Sequence, residues 1–233
     1  MSRFLKTLLG IALIPFCGAT AALLYEVLKG ITANDGWYSS GIKCFVGGML
    51  GWCAVWMFLP HPTKSYVLAH ELTHAVWGLL FGAKIGKLKV TAKGGSVQLS
   101  KSNLFITLAP YFFPFYTAIC LLAAAITRLC MGRLPCPAAW LAAIGATWCF
   151  HVCFTFESLK VRQPDICEYG RILSYATLVS ANLLVLSTLL VLATAAMSFS
   201  TWALTLAKLT AAFYASVFRY LAAQLGKLHF TGH

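Results

Sequence analysis

Acidic side chains are scarce in this sequence, and charged side chains of either sign are few. The 233 residues include only 6 Asp and Glu, and charged residues make up 10% of the chain against 60% hydrophobic residues. A soluble domain could not cover that much apolar surface with so few polar residues. The composition therefore excludes an ordinary soluble protein and predicts a polytopic membrane protein. In such a protein, each carboxylate within or beside an apolar segment is a candidate site residue.

The sequence also lacks a CxxC pair, and its 9 cysteines are scattered mostly through apolar runs. This pattern excludes a disulfide framework and favours cysteines that pack inside helices, as at Cys149 and Cys153. The formal net charge of +12 comes from basic residues that lie mostly in short loops between apolar segments. Because such residues orient spans and contact phospholipids, we predict membrane lipids as partners and no nucleic-acid partner.

Apolar segments long enough to cross a membrane recur along the chain, where a spanning helix needs about 20 apolar residues. We predict an all-α polytopic membrane protein with six or seven transmembrane helices, at residues 5–24, 42–59, 65–81, 103–129, 138–156, 172–197 and 202–221. Pro110 and Pro114 predict a break in the fourth. The last carries Lys208 and Arg219 on one stripe, so it either spans or lies on the surface. With no repeat or linker, residues 1–233 are predicted to form a single domain.

One stretch, residues 82–102, departs from the helical pattern. Apolar residues alternate there with polar ones on both sides of the sequence Lys93-Gly94-Gly95-Ser96: Leu88, Val90, Val97 and Leu99. This alternation predicts a small membrane-associated β-hairpin, with an ordinary basic loop as the alternative. All of its charged residues are positive: Lys84, Lys87, Lys89, Lys93 and Lys101. With seven spans, the hairpin lies on the more basic side, which the positive-inside rule places in the cytoplasm.

Three polar residues interrupt the apolar helix predicted at residues 65–81: His70, Glu71 and His74, an HExxH pattern. Residues four apart lie on one helix face, so both imidazoles can reach one metal ion. Glu71 lies about 100° around the helix, where it can hold a water molecule without being a ligand. Since burying an unpaired carboxylate is costly, packing alone is a poor explanation. We predict His70 and His74 as zinc ligands and Glu71 as the catalytic base.

A catalytic zinc site takes three protein ligands and keeps a position open for water, so a third ligand must come from elsewhere in the chain. Asp165 is preferred because it follows Pro164 and comes shortly before the next span. This position sets a carboxylate at a helix entrance beside the membrane interior. Other residues remain open as alternatives or contributors: His61, His151, Glu157 and Glu168.

The order of these features resembles the site-2 protease family of intramembrane zinc metallopeptidases. The resemblance covers about residues 65–185 and rests on the HExxH helix followed by Gly94-Gly95-Ser96-Val97, Leu108-Ala109-Pro110, and Asp165 before Gly170. Pro164-Asp165-Ile166 stands where that family usually has Leu-Asp-Gly, which keeps Glu168 open as the third ligand. No polar stretch is long enough for an inserted PDZ-like domain, so the resemblance is to a compact member without one.

This resemblance implies a zinc metalloendopeptidase that cleaves a transmembrane protein or peptide. His70, His74 and Asp165 would hold the zinc ion, with Glu71 as general base. We expect an integral protein of the bacterial cytoplasmic membrane, with the hairpin on the cytoplasmic side. A substrate helix must unwind before its backbone can be cut, and the hairpin edge is expected to hold the unwound segment.

Two other interpretations remain open. A membrane zinc protease of the prenyl-protein-processing kind also carries HExxH, and it would take its third ligand from Glu157 or Glu168. A non-catalytic membrane scaffold or a transporter is the other. However, a transporter is expected to show an internal repeat or paired half-helices, and a protease relic is expected to have lost Glu71. This sequence has no internal repeat or paired half-helices, and it retains Glu71.

Overall fold

The computed structural model describes residues 2–34, 39–91 and 94–230, and of residues 226–230 it describes the backbone alone. In chain order, the elements in these ranges are α1 (Arg3–Ala33), α2 (Ser40–Phe58), α3 (Thr63–Leu80), β1 (Ile85–Thr91), β2 (Gly94–Leu99), α4 (Leu104–Phe112), α5 (Phe115–Met131), α6 (Pro137–Leu159), α7 (Pro164–Glu168), α8 (Arg171–Thr194) and α9 (Phe199–Phe230). They separate into two compact units. The prediction of a single domain stays a prediction.

The first unit consists of α1, α8 and α9. Leu23 and Val27 of α1 are fully buried. The contact between α1 and α8 is close, because a Cβ placed on Gly10 would lie 2.6 Å from the backbone nitrogen of Leu173. Small residues allow two apolar helices to approach each other in this way.

The second unit contains α2 to α7 and the hairpin, and it holds every predicted site residue. Helices α2 and α6 form its most tightly packed pair. A Cβ on Gly48 would overlap the backbone of Ala142, and a Cβ on Gly145 would overlap the carbonyl oxygen of Phe45. Glycine at these two positions therefore sets the distance between the helices.

The predicted hairpin is present, and β1 pairs with β2 in antiparallel register. Ile85 pairs with Leu99, Leu88 with Val97, and Val90 with Gly95, with an irregularity between Ile85 and Leu88. The irregularity keeps the apolar residues of β1 on one face despite the odd spacing. Of the sequence proposed for the turn, Lys93 lies outside the described residues.

Fewer helices could cross a membrane than the six or seven predicted. In the described part of the chain, α1, α2, α6 and α8 are long and apolar enough, and α4 with α5 makes a fifth if that bent pair is one span. The pair is bent by 80° between Phe112 and Phe115, where the two prolines predicted a break. Helices α3 and α9 are not in this set. Within only 18 residues, α3 carries Lys64 together with the HExxH residues, which reduce its hydropathy.

Candidate metal centre

His70 and His74 lie one turn apart on α3, with ring centroids separated by 4.9 Å. Asp165 reaches them from α7, the short helix that follows α6. Its Oδ2 atom lies 3.7 Å from Nε2 of His70 and 3.8 Å from Nε2 of His74. The structure thus brings together the three residues that the sequence analysis selected as ligands.

The three side chains fit a divalent metal ion. One ligand atom from each side chain lies within 4.8 Å of those from the other two. Among the His, Cys, Asp and Glu side chains of the described residues, only this trio meets that condition. Two tetrahedral zinc ligands, each about 2 Å from the ion, lie roughly 3.3 Å apart. The distances from Oδ2 of Asp165 to the two Nε2 atoms need only a small contraction to reach that value. Two imidazoles and a carboxylate also form a donor set typical of catalytic zinc.

The backbone of α4 orients the second histidine. Nδ1 of His74 lies 2.8 Å from the carbonyl oxygen of Ile106. A carbonyl can only accept a hydrogen bond, so Nδ1 carries the proton and Nε2 keeps its lone pair towards Asp165. The Ile106 carbonyl thus selects the tautomer of His74 that can bind a metal. The hydroxyl of Tyr66 lies 3.4 Å from Nδ1 of His70 and contacts that ring on the side away from Asp165.

The sequence around Asp165 explains its position. Pro164 begins α7 at a helix N-terminus, where proline is favoured, and Asp165 lies in the first turn. Burial alone would raise the pKa of the Asp165 carboxyl, but the neighbouring imidazoles and a hydrogen bond from Tyr111 outweigh it and hold that pKa below its usual range. Asp165 therefore stays ionised, as a metal ligand must.

Glu71 points away from the histidine face and towards β2. Its side chain is buried, and its carboxylate accepts a hydrogen bond from the backbone N–H of Val97. A Cβ on Gly95 would lie 2.7 Å from Cγ and 2.9 Å from Oε1 of Glu71. The strand thus fits against the carboxylate only because Gly95 has no side chain.

A cleft of about 660 Å³ opens beside these residues. Its walls come from α3, from the edge of β2, from the start of α4 and from α7, all within the second unit. The predicted ligands and Glu71 all line it. A cleft of this volume lies within the range of ligand-binding pockets.

The other candidate ligands are not part of the cluster formed by His70, His74 and Asp165. His61 stacks on Trp56, with ring centroids 3.7 Å apart, and Glu157 pairs with Lys160. His151 is buried, and it lines a small separate cavity together with Thr73 and His70. Glu168 lines the main cleft but is not in the ligand cluster.

Comparison of the chain with family models, curated proteins and solved structures finds no match. The resemblance noted above therefore rests on the residues of this chain.

Sequence reasoning missed four contributors to the site: Tyr66, Tyr111, the carbonyl of Ile106 and the N–H of Val97. A backbone group leaves no mark in a sequence pattern. Tyr66 could have been found, because it precedes His70 by one helical turn and so shares its face.

Proposed function

We propose that this protein is an intramembrane zinc metalloendopeptidase, similar to site-2 proteases, that hydrolyses peptide bonds of membrane-embedded substrates. The observation that carries the proposal is the meeting of His70, His74 and Asp165 at one point, with Glu71 on the adjoining wall of the cleft. Helices suited to a membrane flank this site in the chain, which favours a substrate that is itself a membrane protein.

The residues divide the chemistry between them. Zinc held by His70, His74 and Asp165 would supply Lewis acidity, which activates water and polarises a peptide carbonyl. Glu71 takes a proton from the attacking water and passes it to the leaving amine, so that water adds across the broken C–N bond. Asp165 and the two imidazoles contribute one net negative charge, which offsets part of the charge of the ion.

The edge of β2 gives the substrate a place to bind. The N–H of Val97 donates to Glu71 and is therefore not used in pairing with β1. Because backbone groups alternate in direction along a strand, those of Gly95 and Leu99 point to the same open edge, which lines the cleft. An unwound substrate segment can add to this edge as a further strand.

The proposal is tested by measuring zinc content and cleavage of a membrane peptide in purified variants. Glu71→Gln should bind zinc as the wild type does and lose cleavage, because only the proton acceptor is gone. Asp165→Ala should lose both. Glu157→Gln is the control, since that carboxylate pairs with Lys160. A Glu71→Gln protein that still cleaves would exclude this mechanism.

The alternative with a glutamate ligand remains a second candidate, because Glu168 lines the same cleft. Under that alternative, Glu168→Gln loses zinc and Asp165→Ala keeps it. The proposal made here expects the reverse, so the same zinc measurement separates the two.

A further inference from the structure

Tyr111 is a fully buried residue of α4 that directly follows Pro110. Its hydroxyl donates to Oδ2 of Asp165 over 2.9 Å, and Oε1 of Gln163 lies at 3.4 Å from the same hydroxyl. A phenol has one proton to donate. The shorter distance and the negative charge of the carboxylate both favour Asp165 as its acceptor.

This hydroxyl acts on the oxygen that matters for metal binding. The Oδ2 atom that receives the hydrogen bond is also the atom nearest to both histidine Nε2 atoms. In addition, the ring of Tyr111 meets the ring of His70 edge to face, with centroids 5.4 Å apart and planes at 89°. One buried side chain therefore contacts two of the three ligands.

The position of Asp165 makes such support necessary. Helix α7 has only 5 residues, and the side chain of Asp165 remains 25% exposed. A short, partly exposed helix does not by itself hold a carboxylate in a single rotamer. Gln163 helps to keep the neighbouring backbone in place, since its Nε2 donates to the carbonyl of Ser158 over 2.7 Å.

We infer that Tyr111 is a positioning residue for the metal centre, which fixes Oδ2 of Asp165 at the point where it meets His70 and His74. The inference rests on the metal site of the proposed function. It completes a pattern in which each ligand has one outer partner: Tyr66 for His70, the Ile106 carbonyl for His74, and Tyr111 for Asp165.

The test compares metal affinity in Tyr111→Phe and Tyr116→Phe. Tyr116 is a matched control, because its hydroxyl also makes one hydrogen bond, over 2.9 Å, but to the carbonyl of Ser65. Zinc affinity is measured by competition with a chromophoric chelator, and the Co²⁺ derivative reports ligand geometry through its visible spectrum. Tyr111→Phe should bind zinc about 10- to 100-fold more weakly, as for other outer-sphere partners. It should also show an altered Co²⁺ spectrum, whereas Tyr116→Phe should match the wild type.

Two results would overturn the inference. Equal loss of affinity in both variants would mean general destabilisation. Wild-type affinity in Tyr111→Phe with reduced kcat would instead assign the hydroxyl to the substrate. If Tyr111→Phe did not accumulate, Tyr111→4-fluorophenylalanine would serve, because fluorine takes the place of the hydroxyl but has no proton to donate. This variant should lose zinc affinity as Tyr111→Phe is expected to, and wild-type affinity in it would also overturn the inference.

A double variant identifies the route. The residual zinc affinity that His70 and His74 give Asp165→Ala should be the same with and without Tyr111→Phe if Tyr111 acts through the carboxylate, and a further loss would overturn that route. Failure of the inference also differs from failure of the proposed function. The latter requires that the wild type binds no zinc or that Glu71 is dispensable, and neither follows from the behaviour of Tyr111→Phe.

Discussion

Gly95 has no side chain, and this allows β2 to lie directly against the carboxylate of Glu71. A Cβ at this position would come within 2.9 Å of Oε1 of Glu71 and within 2.8 Å of a methyl group of Val67. The strand itself has little reason to move, because β1 pairs with it on the other side. The nearest atom to the added methyl group is Cγ of Glu71, at 2.7 Å, so the Glu71 side chain would be displaced.

Gly95→Ala should therefore reduce kcat for a membrane peptide by about 100-fold, the scale of loss for a catalytic group misplaced by 1 Å. Zinc content should remain at the wild-type level, since no ligand touches Gly95. Gly86→Ala is the control within the same hairpin, because its new methyl group would meet the side chain of Gln98. Equal activity in the two variants would mean that β2 does not position Glu71.

At this scale, sequence reasoning found the residues whose chemistry is local or distinctive. His70, Glu71 and His74 follow helical spacing, and Asp165 is one of only 6 acidic residues. Tyr111 could not be found, because the sequence has 9 tyrosines and nothing in the local pattern separates the one that meets Asp165. That contact depends on how α4 lies beside α7, which no short segment encodes.

At the scale of the elements, α2 and α6 are the most closely packed pair of helices in the second unit. A methyl group on Gly145 would overlap the carbonyl oxygen of Phe45, and a carbonyl belonging to a helix cannot move without bending that helix. Gly51 of α2 has open space around it instead.

Gly145→Ala should lower the free energy of unfolding by about 1–3 kcal/mol, the usual cost of overpacking. Gly51→Ala should be neutral or slightly stabilising, because alanine favours helix by about 1 kcal/mol over glycine. Thermal unfolding in detergent, followed by circular dichroism, measures both. Equal melting temperatures would contradict the close approach of the two helices.

The elements were predicted most accurately where the pattern was strong. The alternation around Gly94 and Gly95 predicted the hairpin correctly, and the two prolines predicted the bend between α4 and α5. Helix α1 was predicted to end at residue 24 but continues to Ala33. Its added turns contain Glu26 and Lys29, which form an ion pair on one helix face and so do not interrupt the helix.

In the molecule as a whole, the candidate metal site joins parts of the chain that lie far apart in sequence, α3 and α7. An ion that binds only the folded protein stabilises it by about 2.7 kcal/mol at 100 times its Kd. Chelation of the wild type should therefore lower its melting temperature by several degrees. Asp165→Ala should melt at the same temperature with and without chelator. An equal shift of the melting temperature in both proteins would mean that the chelator acts on something other than the site formed with Asp165.

The count of spans shows the limit of composition at this scale. Hydropathy located the apolar helices correctly, since α1, α2, α6 and α8 match predicted spans. It could not decide whether α3 spans a membrane, because polar residues lower the hydropathy of a helix equally whether they lie on a buried face or on the surface. That distinction depends on what the face contacts, which for α3 is the hairpin and α4.

The strand that covers Glu71 has a stereochemical consequence. With Gly95 against one side of the carboxylate, the side that remains accessible is the one that faces the cleft. A peptide laid along β2 would then offer only one of its two carbonyl enantiofaces to the nucleophile. The handedness of the tetrahedral carbon would be decided by the strand direction of the bound peptide.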